Sequence, residues 1–181
     1  MYSLNLIQLK LSSNMTKSDL IKSASLVLAS IILARFVLPA NITPLLAIAV
    51  FLPHITKNKH LQLFLPVAIL FLTDLFLGFY GNTMFFVYGT MILIGILSHY
   101  SRNRSYLGLM KNSITGVLLW HIIVNFGVYL NHLGTSSLIQ TYVQAIPFDF
   151  KLLLSTLVFN SAFYASLKLS KVLKHNDALL S

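Results

Sequence analysis

Few side chains in this sequence could do chemistry, and they fall into two sets. The first is Arg35 and Asp74. Each lies within an apolar run, where a charge is costly unless it is paired or wet. The second is His121, Asn125, Tyr129 and His132, whose spacings of 4, 4 and 3 put them on one face of a helix. Trp120 lies about a third of a turn away. Such a stripe in an apolar helix faces the interior of a bundle. It is either a wall lining a ligand or a set of interhelical hydrogen bonds, each worth about 0.6–2 kcal/mol. The Arg35–Asp74 pair has the same two readings, a structural lock between helices or part of a polar cavity, and both can hold.

Catalytic chemistry has little to stand on. The chain has no cysteine, and its four carboxylate side chains are Asp19, Asp74, Asp149 and Asp177, with no glutamate. Thiolate catalysis, disulfides and Cys-ligated metal sites are excluded. His54 and His60 lack a nearby carboxylate, and His121 and His132 are too far apart along a helix to chelate one metal together. Ser155 and Thr156 have no neighbouring base. No glycine-rich phosphate loop or ATPase motif is present. There is no charged ring of the channel type and no pair of half-helices of the transporter type. No enzyme activity, cofactor or metal is expected.

The elements that must position these residues are membrane helices. The 181 residues are 56% hydrophobic and 9% charged, with a mean hydropathy of +0.79, whereas soluble domains carry about 25% charged residues. The two-residue alternation of a membrane barrel is absent, which leaves helices. The apolar runs predict an all-α bundle of six spans: Leu20–Leu38, Leu45–Thr56 (short for a crossing), Leu61–Tyr80, Met84–Tyr100, Ser113–Leu130 and Leu152–Leu173. Breaks fall at the segment from Pro39 to Pro44, at the Lys57–His60 turn, at Gly81-Asn82, at the Ser101–Arg104 turn and in a longer polar loop from Asn131 to Phe150. The expected organisation is an N-terminal cytoplasmic segment 1–19, a transmembrane domain 20–174 and a cytoplasmic tail 175–181. No cleaved signal peptide is read in residues 1–19, so the first span is expected to act as an uncleaved anchor.

Charge sets the orientation. Eleven of the thirteen Lys and Arg residues fall on one side of this topology, in the first 22 residues, at Lys57 and Lys59, at Arg102, Arg104 and Lys111, and from Lys168 onward; Arg35 and Lys151 are the exceptions. This bias predicts that both termini are cytoplasmic. The net charge of +9 is spread between apolar runs, which suits anionic lipid headgroups of the bilayer, and no nucleic-acid partner is expected. Asn41, Thr43, Tyr80, Asn82, Tyr88, Tyr142 and Gln144 gather on the outer side and suggest a pocket opening outward, suited to a mostly apolar small molecule. In the first span Ala24, Ser25, Ala29 and Ala34 form a small-residue face for close helix approach, within the chain or to a partner.

Two stretches carry a resemblance. The first is Arg35-x-x-x-Pro39-x-Asn41-x-Thr43-Pro44, continuing through Ala47, Phe51 and Pro66 to Thr73-Asp74-x-x-x-Gly78-x-Tyr80. The second comprises Asn125-Phe126-Gly127 and the run from Tyr142 through Ala145-Ile146-Pro147-Phe148. Together they resemble an uncharacterised family of bacterial six-span proteins similar to the substrate-binding S components of energy-coupling-factor (ECF) vitamin transporters. The resemblance spans about residues 25–165. It implies an S-component-like bundle in the bacterial cytoplasmic (inner) membrane that binds a vitamin-like small molecule near the outer face. It also implies separate partners, a transmembrane coupling subunit and ATPases, with Ala24, Ser25, Ala29 and Ala34 as the docking face. One departure is Leu154-Ser155-Thr156, where an acidic residue near the start of the last helix is expected. The residues expected to serve the ligand are Arg35, Asn41, Asp74, Tyr80, Asn125 and Tyr129. The alternative is a scaffolding membrane protein without a ligand, similar in size and span count to the rod-shape-determining membrane protein D.

Overall fold

A computed structural model describes residues 31–39, 41–101 and 104–180, with side chains to residue 169. Within them the chain is all-helical and contains no strand. A helical segment, 31–37, precedes five helices: α1 (Leu45–Ile55), α2 (Lys59–Leu77), α3 (Thr83–Tyr100), α4 (Tyr106–Asn131) and α5 (Leu138–Leu180). Four of these, α2, α3, α4 and α5 through Leu169, are long and apolar enough to cross a membrane. The protein is thus a membrane protein by helix length and composition. The first span expected from the sequence, with Ala24, Ser25 and Ala29 of its small-residue face, lies largely outside the described residues. Ala34 lies in the helical segment 31–37 and is half-buried.

Local chemistry explains where the helices begin and end. Asn58 caps α2, its side-chain oxygen accepting from the His60 and Leu61 amides at 3.0 and 3.3 Å. Ser105 does the same for α4, accepting from Gly108 at 3.1 Å. α2 stops at Gly78, whose φ of 92° is a conformation that side chains with a Cβ resist. Its amide donates to the Asp74 carbonyl at 2.9 Å. At the far end of the bundle the Arg104 guanidinium donates to the Ser98 and His99 carbonyls at 2.9 and 3.1 Å. That satisfies acceptors a helix C-terminus leaves open and puts a cation at its negative end.

The short helix α1 is the centre of the bundle. It packs against all four other helices, and Leu45 through Pro53 are buried without a break. At 11 residues it is about 16 Å long, short of the ~30 Å hydrocarbon thickness. It can be so short because protein, not lipid, surrounds it. Around it Ile69, Leu70, Val87, Met91, Ile94, Leu109, Val117, Val124 and Leu152 complete the core. The outer helices turn Phe71, Phe76, Phe85, Ile139 and Val158 outward, as lipid contact requires.

α5 departs from the sequence-based expectation. A polar loop was expected from Asn131 to Phe150, yet only residues 132–137 connect α4 to α5, and the helix begins at Leu138. Pro147 sits inside it. In a long membrane helix the backbone groups a proline frees find other partners, so the helix can continue.

Candidate functional site

The site begins with the turn between the first helical segment and α1. The Ile42 amide donates to the Pro39 carbonyl at 3.0 Å. This closes a four-residue turn whose third residue, Asn41, has φ of 67°. Asparagine tolerates that region better than most residues with a Cβ. Thr43 then accepts from the Leu45 amide at 3.3 Å, and its own carbonyl accepts from the Ser155 hydroxyl of α5 at 3.1 Å. The turn is thereby tied to the last helix.

Asp74 organises this end of the bundle. Its carboxylate is 1% exposed and accepts three hydrogen bonds. Arg35 Nη2 donates to Oδ1 at 2.9 Å. The Tyr80 and Tyr88 hydroxyls donate to Oδ2 at 3.0 and 2.8 Å. Gly78 makes this geometry attainable, because ending α2 there lets the chain carry Tyr80 back over Asp74. Burial first, and then the Asp74 carboxylate, holds the Tyr80 hydroxyl well above the ordinary tyrosine range.

A cavity of about 490 Å³ lies beside this cluster. Arg35, Asn41, Thr43, Tyr80 and Thr83 bring polar groups to it; Leu46, Leu70, Val87, Met91 and Trp120 form much of its apolar wall. Asp74 is not among the lining residues. It stands behind them and orients Arg35 and Tyr80, which do line the cavity.

A second cavity, of about 520 Å³, lies beneath the α4–α5 connection, and Asn41 and Trp120 line both. Here Asn125 Nδ2 donates to Asp149 Oδ2 at 2.8 Å, and His121 Nδ1 lies 2.7 Å from the same oxygen. An ionised carboxylate only accepts, so the proton belongs on Nδ1. Tyr142 packs edge-on to His121 with ring centroids 5.4 Å apart, and its hydroxyl donates to the Ile122 carbonyl at 2.6 Å. His132 also lines this cavity.

Of the ligand-serving residues expected from the sequence, Arg35, Asn41, Asp74 and Tyr80 therefore come together. Asn125 belongs to the second cavity. Tyr129 lines neither; its ring packs against Phe126, centroids 6.3 Å apart. Asp149 was missed because the stretch from Asn131 to Phe150 reads as a polar loop. The apolar positions Ile139, Val143 and Ile146, at helical spacing before Pro147, are the signal that could have placed it on a helix.

A family model matches residues 15–178, nearly the whole chain. The chain belongs to the DUF6580 family. That family is described as one of unknown function. No curated protein and no solved structure matches the chain. Both cavities and both carboxylate clusters of this DUF6580 protein fall within the matched segment.

Proposed function

We propose that the protein is the membrane-embedded substrate-binding subunit of an uptake system for a small, vitamin-like micronutrient. The observation that carries this reading is the Arg35 cavity. At about 490 Å³ it has the size of a small-molecule site, with an apolar wall and a few convergent polar groups. Asp74 fixes the Arg35 guanidinium in advance, so ordering it costs little on binding. Trp120 and Tyr80 offer ring faces to a planar ligand.

The reading includes six passes in a bacterial inner membrane, with both termini cytoplasmic. α1 joins the cavity end to the Lys57 end inside a sheath of protein, and the helical segment 31–37 is read as the end of a first span. The cavities lie at the end away from Lys57, Lys59 and Arg104, so the positive-inside bias turns them outward. Energy would come from a separate coupling subunit and ATPases, docked on the face formed by Ala24, Ser25, Ala29 and Ala34.

The test is to purify the protein in detergent and identify co-purified small molecules by mass spectrometry, with Arg35→Gln alongside. A vitamin-like compound held by the wild type and lost from the variant is the expected result. A wild type that carries nothing, and whose melting temperature no member of a vitamin panel raises, would refute the reading in favour of a ligand-free scaffold.

A further inference from the structure

The second cavity has a chemistry opposite to the first. No lysine or arginine lines it, and Asp149 does. The Asp149 side chain is 11% exposed. Both of its neighbours, His121 Nδ1 and Asn125 Nδ2, address Oδ2. Oδ1 receives no hydrogen bond from the described residues. Lys151, two positions along α5, reaches over the Phe148 ring at 5.9 Å and is not among the lining residues.

Of the remaining wall, Trp120 and Phe148 contribute aromatic rings, Thr135, Ser136 and Gln144 contribute oxygen acceptors, and His132 contributes an imidazole whose Nδ1–H donates to the Val128 carbonyl at 2.9 Å. An anion, ring faces and neutral acceptors are what an ammonium group seeks when it leaves water. A metal ion fits less well, since no group of three His, Cys, Asp or Glu residues able to hold one occurs among the described residues.

We propose that this cavity is a second, separate binding site, specific for a protonated amine. The ammonium meets Asp149 Oδ1 and the apolar body lies against Trp120 and Phe148. The site does not depend on the uptake reading, which rests on the other cavity. Two sources share this chemistry, a free amine and the headgroup of an aminophospholipid.

The chain contains a single tryptophan, Trp120, which lines both cavities, so intrinsic fluorescence reports a ligand in either, and loss of the amine preference in Asp149→Asn assigns it to this one. The protein would be placed in phosphatidylglycerol nanodiscs and titrated with benzylamine, benzyl alcohol and benzoate. Benzylamine should saturate the Trp120 response at a roughly tenfold lower concentration than benzyl alcohol, and benzoate should give no saturable response. Asp149→Asn, which keeps the side chain's shape, should bring benzylamine to the level of benzyl alcohol. Gln144→Lys, near the start of α5, should supply its own ammonium and weaken benzylamine binding, with its melting temperature compared with the wild type's to confirm folding. Equal responses to amine and alcohol in the wild type overturn the proposal. So does an amine preference that survives both Asp149→Asn and Gln144→Lys. Nanodiscs containing phosphatidylethanolamine separate the two sources. Weakened benzylamine binding there identifies the lipid headgroup, and superimposed titrations identify a free amine.

Discussion

Arg35 and Asp74 stand 39 positions apart in the chain and meet at 2.9 Å. The pair ties the segment before α1 to the end of α2, and Tyr80 and Tyr88 complete the carboxylate's partners. Removing one member of a buried pair leaves the other charged and unmatched, which costs about 3–5 kcal/mol. Asp74→Ala should therefore lower the melting temperature in detergent sharply, as followed by circular dichroism. Replacing both residues, as in Arg35→Met with Asp74→Leu, should cost much less, because no orphan charge remains. A double variant no more stable than Asp74→Ala would argue against the pair as the source of the loss.

Helices α3 and α4 meet where Gly127 faces Phe86. A Cβ added at Gly127 would lie 2.5 Å from atoms of the Phe86 ring, closer than packed carbons tolerate. Gly127→Ala should destabilise the protein by about 1–3 kcal/mol through overpacking. Phe86→Leu in the same chain should recover part of that loss. The measurement is thermal melting of the two single variants and the double variant. Purely additive losses would show that the two residues do not compete for the same space.

Tyr80 lies in the connection between α2 and α3 and holds its proton above the ordinary tyrosine range. In the unfolded chain a tyrosine ionises near pH 10. The folded state therefore keeps a proton that the unfolded state releases. The resulting stabilisation is complete below about pH 10 and is lost as pH rises from there towards the folded-state value. Melting temperature should fall more steeply above about pH 10 in the wild type than in Tyr80→Phe. Parallel pH profiles for the two proteins would contradict the assignment.

Much of this protein is legible in its sequence. The ends of α2, α3 and α4 fall within a few residues of the expected spans, except that α4 starts at Tyr106 rather than Ser113. Apolar runs bounded by Asn58, Gly78 and Ser105 carry strong local signals. The partnership of Arg35 and Asp74 was also readable, because two costly charges at similar depth in a bundle need one another. The reach of α5 was not. The polar residues between Asn131 and Phe150 read as a loop, and Asp149 was misplaced with them, although the chain is helical from Leu138 onward.

Composition and periodicity by themselves determined that the chain is helical and suited to a membrane, because lipid leaves the backbone no other open solution and the charge pattern leaves little water-facing surface. They also determined which few polar residues needed an explanation. Only the tertiary structure decided how those residues divide. It placed Asp74 behind the first cavity rather than in it, moved Asn125 to a second cavity beside Asp149, and left Tyr129 in neither. The physical reason is that helical periodicity specifies the face a residue occupies. What that face meets depends on how α1, buried among the other four helices, sets their spacing and rotation.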